Sequence, residues 1–149
     1  MAGPDKDSLK TVDSSVLSRT FAVNTYGPLL LTQALLPNIL KSSSPKLGFM
    51  SSRVGSIADN STGGNYAYRS SKAALNSICK CLAVELKDHG VVVVILHPGY
   101  VKTGLDPGMS HPEAVMPEEA ASKLWKVLQS KGVDDTGKFW HREGMELPW

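Results

Sequence analysis

Gly90-Val91-Val92-Val93-Val94-Ile95-Leu96-His97-Pro98-Gly99 decides the architecture. Val91–Leu96 is an unbroken aliphatic run, β-branched up to Leu96 and too short for a buried helix. It also lacks the polar alternation of a strand with one wet face. It reads as a strand covered on both sides, as in a parallel sheet. Gly90 is a stop signal for the helix before it, and Pro98-Gly99 turns the chain after it.

Elements alternate outward from that strand. Upstream, Tyr66–Asp88 reads as a long helix carrying Ala73, Ala74, Leu75, Ile78, Leu82, Ala83 and Leu86. Ser51–Asn65, rich in Ser, Gly and Asn, is loop. Lys46–Met50 is a short strand, and Lys41–Pro45 is a Ser/Pro loop. Val12–Leu40 reads as another long helix, with an apolar face marked by Val16, Leu17, Thr20, Phe21, Val23, Asn24, Leu30, Leu31, Ala34 and Leu35. Asp13 or Ser14 can cap it, and Gly27-Pro28 or Pro37 can kink or bound it. Downstream, Pro98–Val115 is loop, a third helix starts at Pro117, and Lys138–His141 is a last strand. Met1–Lys10 is polar and expected to fray. Helix, strand, helix, strand, helix, strand implies one α/β domain with a parallel sheet and helical crossovers. Three strands make a thin sheet, and the first would leave one edge bare.

Composition narrows the function classes. At 149 residues, with 42% hydrophobic and 20% charged residues, the chain is an ordinary globular domain. A net charge of +2 with scattered lysines argues against a nucleic-acid partner. The longest apolar stretch, Pro28–Leu36, is broken by Thr32 and Gln33, so no membrane partner is expected and the cytoplasm is the default. Cys79 and Cys81 point to different faces of one helix, so reduced thiols and no metal site are expected.

Tyr68-Arg69-Ser70-Ser71-Lys72 carries the chemistry. Positions four apart on a helix lie about 40° apart around the axis and roughly 6 Å along it. The Lys72 ammonium can therefore favour the Tyr68 phenolate, making an acid/base near neutrality. Alone, such a pair reads as a solvated helical pair. Its company changes that: Ser52-x-x-Gly55 upstream, then Pro98-Gly99-x-Val101-x-Thr103 after the aliphatic strand, and Val23-Asn24-Thr25-Tyr26-Gly27 in the first helix.

Together these motifs resemble the short-chain dehydrogenase/reductase family, most closely its sniffer-type carbonyl reductases. Tyr66-Ala67-Tyr68-Arg69-Ser70-Ser71-Lys72, Leu96-His97-Pro98-Gly99 and the Trp149 ending carry the closer likeness. The resemblance implies the C-terminal half of a doubly wound, Rossmann-type sheet. It implies that Tyr68 is the general acid/base, that Lys72 holds its pKa down and bonds the nicotinamide ribose, and that Ser52 donates to the substrate oxygen. Asn24 would hold a water that links Lys72 to solvent. Pro98, Gly99, Val101 and Thr103 would join Tyr68 and Lys72 in binding the cofactor, NADP or NAD. Ser51 beside Ser52 leaves the register open; Ser52 is preferred because it stands three before Gly55. The implied substrate is a small carbonyl compound or alcohol. A homodimer is implied through helices 12–40 and 66–88.

The family's glycine-rich GxxxGxG turn and Asn-Asn-Ala-Gly segment have no counterpart in this sequence. Residues 1–149 therefore read as a single truncated domain, with 1–11 flexible and 12–149 the catalytic half. This leaves room for a partner chain carrying an N-terminal half. It also leaves two alternatives to hydride transfer: a cofactor-free isomerase, dehydratase or cyclase, or an inactive remnant acting as a scaffold. Loss of a central strand would expose apolar surface on the 12–40 helix. Gly104–Met116 is expected to form a lid. His97 reads as structural, Trp125, Trp140 and Trp149 as packing residues, and Met109, Met116 and Met145 as gap-fillers.

Overall fold

The computed structural model describes residues 5–104 and 110–149. Gly3 and Pro4 of the expected tail, and Asp106, Pro107, Gly108 and Met109 of the expected lid, lie outside the described residues. The elements are α1 (Ser14–Phe21), a π-helical segment (Ala22–Tyr26), α2 (Gly27–Ile39), β1 (Lys46–Met50), α3 (Tyr66–Glu85), β2 (Val92–His97), α4 (Pro117–Ser130) and β3 (Lys138–His141). The three strands form one parallel sheet in the order β1-β2-β3, with Phe49 opposite Ile95 and Ile95 opposite Phe139.

The aliphatic run is central for the reason its composition suggests. Val93, Val94 and Ile95 are each 0% exposed. Val93 and Ile95 pack with Phe49, Leu75, Cys79 and Phe139 on the α3 face, while Val92, Val94 and Leu96 meet Leu124, Val127 and Trp140 on the α4 face. Side chains alternate between two apolar layers, so hydrophobicity does not alternate along the sequence. Gly90 adopts φ 69°, the left-handed turn expected between α3 and β2. Lys46 ties the edge strand to α4 by donating from Nζ to the terminal carbonyls of Gln129 and Lys131, both at 2.7 Å.

The first long helix is continuous in path but not in type. Asp13 caps it, its Oδ1 accepting from the Val16 amide at 2.8 Å. A π turn over Ala22–Tyr26 then separates α1 from α2. Pro28 cannot donate the i→i−4 bond to the Asn24 carbonyl, so the helix widens there instead of breaking. Pro37 sits within α2 without ending it.

Among the described residues, no strand covers the outer edge of β1. Val92 donates to the Pro45 carbonyl and Leu96 accepts from the Ser51 amide, so the peptide groups of Lys46, Gly48 and Met50 face away from β2. Alongside runs an apolar groove of about 680 Å³ lined by Leu31, Leu35, Ile39, Leu47, Phe49 and Leu75. Leu31 is 62% exposed.

Two sequence expectations give way. Trp125 and Trp149 are exposed, and only Trp140 packs into the core. Trp125 lies on the solvent side of α4, whose inner stripe is Ala120, Leu124 and Val127. Met116 and Met145 are exposed rather than filling gaps. Within residues 5–11, polar in composition, Asp7 is buried against α3. No helix among the described residues is long and apolar enough to cross a membrane.

Candidate active site

The carboxyl ends of β1 and β2 and the first turns of α3 converge on one region. β1 runs into Ser51 and Ser52, both buried. The short turn Arg53–Gly55 then presses against α3. A Cβ on Gly55 would sit 2.7 Å from Lys72 Cβ and 2.9 Å from its carbonyl carbon. Only glycine allows this approach, which gives the Ser52-x-x-Gly55 spacing a physical meaning: it brings Ser52 to the turn of α3 that carries Tyr68 and Lys72.

The two serines divide the work. Ser51 Oγ donates to Asn76 Oδ1 at 2.5 Å, a bond buried in the core. Ser52 stands close enough to the Tyr68 hydroxyl to oppose the rise in its pKa.

Lys72 departs from expectation. Its Nζ donates to the Met50 carbonyl on the free edge of β1 at 2.9 Å and lies 5.9 Å from the centroid of the Tyr68 ring. Burial raises the pKa of Tyr68 above its ordinary value, and Ser52 opposes that only in part. Burial likewise lowers the pKa of Lys72. The expected depression of the Tyr68 pKa by Lys72 is thus not seen in the chain by itself, because desolvation outweighs a cation committed to a backbone carbonyl.

The π turn carries Asn24 to the same place. Asn24 Nδ2 donates to Ser71 Oγ at 3.1 Å, and Thr25 Oγ1 donates to the Ser71 carbonyl at 2.9 Å. Ser71, fully buried and adjacent to Lys72, thereby docks the first helix onto α3. Asn24, Ser51, Tyr68, Lys72 and Pro98 line one cavity of about 630 Å³, together with Lys6 and Arg19. Ser52 and Gly99 line a neighbouring cavity of about 400 Å³ with His97, Tyr100, His141 and Arg142. Val101 bridges to Val115, and Thr103 lies exposed beyond it.

His97 ends β2 and lines the second of these cavities. Burial, with His141, Arg53 and Arg142 adding positive charge, lowers its pKa to about 3, so it is neutral at physiological pH. Cys79, next to the core, has its thiol pKa pushed up to about 12 by burial and is an inert packing group. Cys81 is exposed. Among the described residues, no cluster of three His, Cys, Asp or Glu side chains could hold a metal.

Sequence reasoning missed four supports of the site. Asp7 accepts from the amides of Ala67 and Tyr68, and Arg142 grips the loop after β2. Thr25 and Ser71 link the two helices. Thr25 and Ser71 lie inside quoted motifs, so their neighbours are the signal. Asp7 and Arg142 act across 60 and more than 40 residues, and nothing local marks them.

Comparison with known proteins follows the same lines. A family model described as short chain dehydrogenase matches residues 2–114. The chain is 37% identical over 143 residues to the C-signal of Myxococcus xanthus, covering 95% of this chain and 84% of that protein. It is also 37% identical over 144 residues to 1-hydroxy-2-glutathionyl-2-methyl-3-butene dehydrogenase of Rhodococcus sp. strain AD45, covering 96% of this chain and 63% of that one. Among solved structures, the NADPH-bound carbonyl reductase from chicken fatty liver superposes with a TM-score of 0.91 at 32% identity, covering 97% of this chain and 61% of that chain. The carbonyl reductase Sniffer of D. melanogaster gives 0.88 at 34% identity, covering 95% and 60%. The chain therefore spans about three-fifths of these carbonyl reductases.

Proposed function

Because the chain belongs to the short chain dehydrogenase family, we propose that it provides the acid/base side of a nicotinamide-dependent interconversion of a carbonyl compound and an alcohol. The observation that carries this reading is that Tyr68, Lys72 and Asn24 line one cavity, with Ser52 close to the Tyr68 hydroxyl.

A cavity of about 630 Å³ is within the usual range for a small-molecule site. Its lining, which includes Pro98, Asn24, Tyr68 and Lys72, suits the nicotinamide end of the cofactor. Lys72 and Tyr68 would hold the ribose, and Pro98 and Gly99, with Val101 and Thr103 beyond them, would flank the nicotinamide. When bound, that group supplies or accepts the hydride.

The protein's own residues handle the proton. The Tyr68 hydroxyl, protonated at neutral pH, donates to the carbonyl oxygen as it becomes an alkoxide. Ser52 donates a second hydrogen bond to that oxygen and stabilises its developing charge. Lys72 places a positive charge beside the phenolate left behind. Asn24 would hold the water through which Tyr68 and Lys72 regain a proton from solvent. Substrates would be small ketones, aldehydes or secondary alcohols.

The test is a titration of the chain with NADPH and NADH, followed by ketone reduction by wild type and Tyr68→Phe. Binding in the micromolar range, with the rate lowered by about 10²–10⁴ in the variant, is expected. A Tyr68→Phe protein as active as wild type would overturn the assignment of Tyr68.

A second reading has its own support. The C-signal, of which this chain spans 84%, carries the name of a signal rather than of a dehydrogenase. On that reading the chain works as a binding partner. The same titration separates the two, because a folded chain that ignores both cofactors favours the signal-like role.

A further inference from the structure

We propose that Arg142 is a positioning residue that holds both arms of the loop after β2, and so sets where Pro98 and Gly99 face the site. The proposal rests on the reductase reading for its functional consequence, but the contacts stand independently.

Arg142 follows β3 directly and is only 5% exposed, an unusual burial for arginine. Its Nη1 donates to the carbonyls of Pro98 at 2.7 Å and Tyr100 at 2.9 Å, on the outgoing arm. Its Nη2 donates to the Glu113 carbonyl at 2.8 Å, on the returning arm. Nε donates to Glu143 Oε1 at 3.2 Å, and Glu143 is shared with Lys123 on α4. One planar fork thus spans two chain segments that lie 13 or more residues apart. A lysine, with a point charge on a flexible stem, cannot reproduce that span.

Gly99 fits the same account. It adopts φ 67°, and a Cβ there would overlap Arg142 Nη1 and lie 3.1 Å from His141 Nε2. The glycine is therefore required by the guanidinium packed against it as well as by its backbone conformation. The arms are joined further out by Lys102 donating to Val115 at 3.0 Å and Val115 donating to Tyr100 at 3.1 Å. These two amides report whether the arms stay together.

The experiment is amide hydrogen exchange on wild type, Arg142→Lys, Arg142→Met and Lys123→Gln, with NADPH affinity measured on each. Losing charge-assisted bonds should accelerate exchange at Lys102 and Val115 about ten-fold or more in the Arg142 variants. Rates within β2 should stay at wild-type values, and NADPH should bind about ten-fold more weakly. Lys123→Gln, which removes the ion pairs of Lys123 with Glu143 and Glu119 and leaves the Arg142 contacts to the loop in place, should behave as wild type. Arg142→Lys keeps the charge and is the variant to rely on if Arg142→Met does not fold. Unchanged exchange at Lys102 and Val115 would overturn the proposal. So would acceleration spread equally through β2, which marks a general stability role, or loosened arms with unaltered NADPH affinity. If wild type itself does not bind NADPH, the reductase reading fails, while the exchange rates still decide whether Arg142 holds the loop.

Discussion

Burial keeps the Tyr68 hydroxyl protonated past the ordinary phenol range, and this sets the direction of easy chemistry. A protonated phenol is ready to donate to a carbonyl oxygen at neutral pH but must first lose its proton to accept one from an alcohol. Reduction should therefore be level across neutrality and fall only as pH rises beyond the ordinary phenol value of about 10, whereas oxidation should gain steadily with pH. Tyr68→Phe should cost about 10²–10⁴ in rate, and Ser52→Ala about 10²–10³, with little change in melting temperature for the first. Steady-state rates across pH check both. His97 governs a different window. Its folded pKa of about 3 lies below the unfolded value near 6.5, so the unfolded chain takes up the proton first. Its contribution to stability is complete above pH 6.5 and is lost as pH falls towards 3, at no more than about 1.4 kcal/mol per pH unit. Melting curves between pH 7 and pH 3 should show this slope in wild type and a shallower one in His97→Gln; equal slopes would assign the acid sensitivity elsewhere.

Among the elements, α3 carries most of the site, and its first turn depends on a residue far away in sequence. Asn65, the residue before the helix, is left-handed and makes no side-chain cap. Asp7 does that work instead, Oδ1 accepting from Ala67 at 2.8 Å and Oδ2 from Tyr68 at 3.1 Å. The carboxylate also sits where the helix end is partially positive. Asp7→Ala should destabilise the chain by about 1–2 kcal/mol and weaken turnover through looser placement of Tyr68. A melting temperature equal to wild type would show that Asp7 is dispensable. This cap shows where sequence reading reaches its limit. The Val91–Leu96 run, Gly90, Pro117 and the Lys46–Met50 strand are legible because their signals are local in composition and spacing. So is the placing of Tyr68 and Lys72 one turn apart on one helix. The fates of Trp125 and Met145 are not, because apolar character alone does not say which face of an element a neighbour will cover. The direction of the Tyr68 shift was equally hidden, since it depends on how deeply the ring is buried and on Lys72 turning to the Met50 carbonyl.

The whole molecule is a sheet covered on both faces, with an open edge at β1 and apolar helices beside it. Two surfaces could bring copies together. One is the groove along β1, lined by Leu31 and Leu35. The other is the outer side of α2 and α3, where Leu29, Leu30, Leu36, Leu82 and Leu86 line a shallow cavity of about 370 Å³. Leu30 is 58% exposed there. Pairing of α2 and α3 with their counterparts across a two-fold axis would bury it in a four-helix interface. Sedimentation velocity of wild type should show a concentration-dependent dimer. Leu30→Glu, which places a carboxylate in that interface, should give a monomer with its melting temperature nearly unchanged, since the side chain is exposed in the single chain. Leu31→Glu should leave the dimer intact. The reverse pattern, with Leu31→Glu dissociating the dimer and Leu30→Glu not, would move the contact to the open edge of β1, where a second strand can complete the hydrogen bonds of Lys46, Gly48 and Met50.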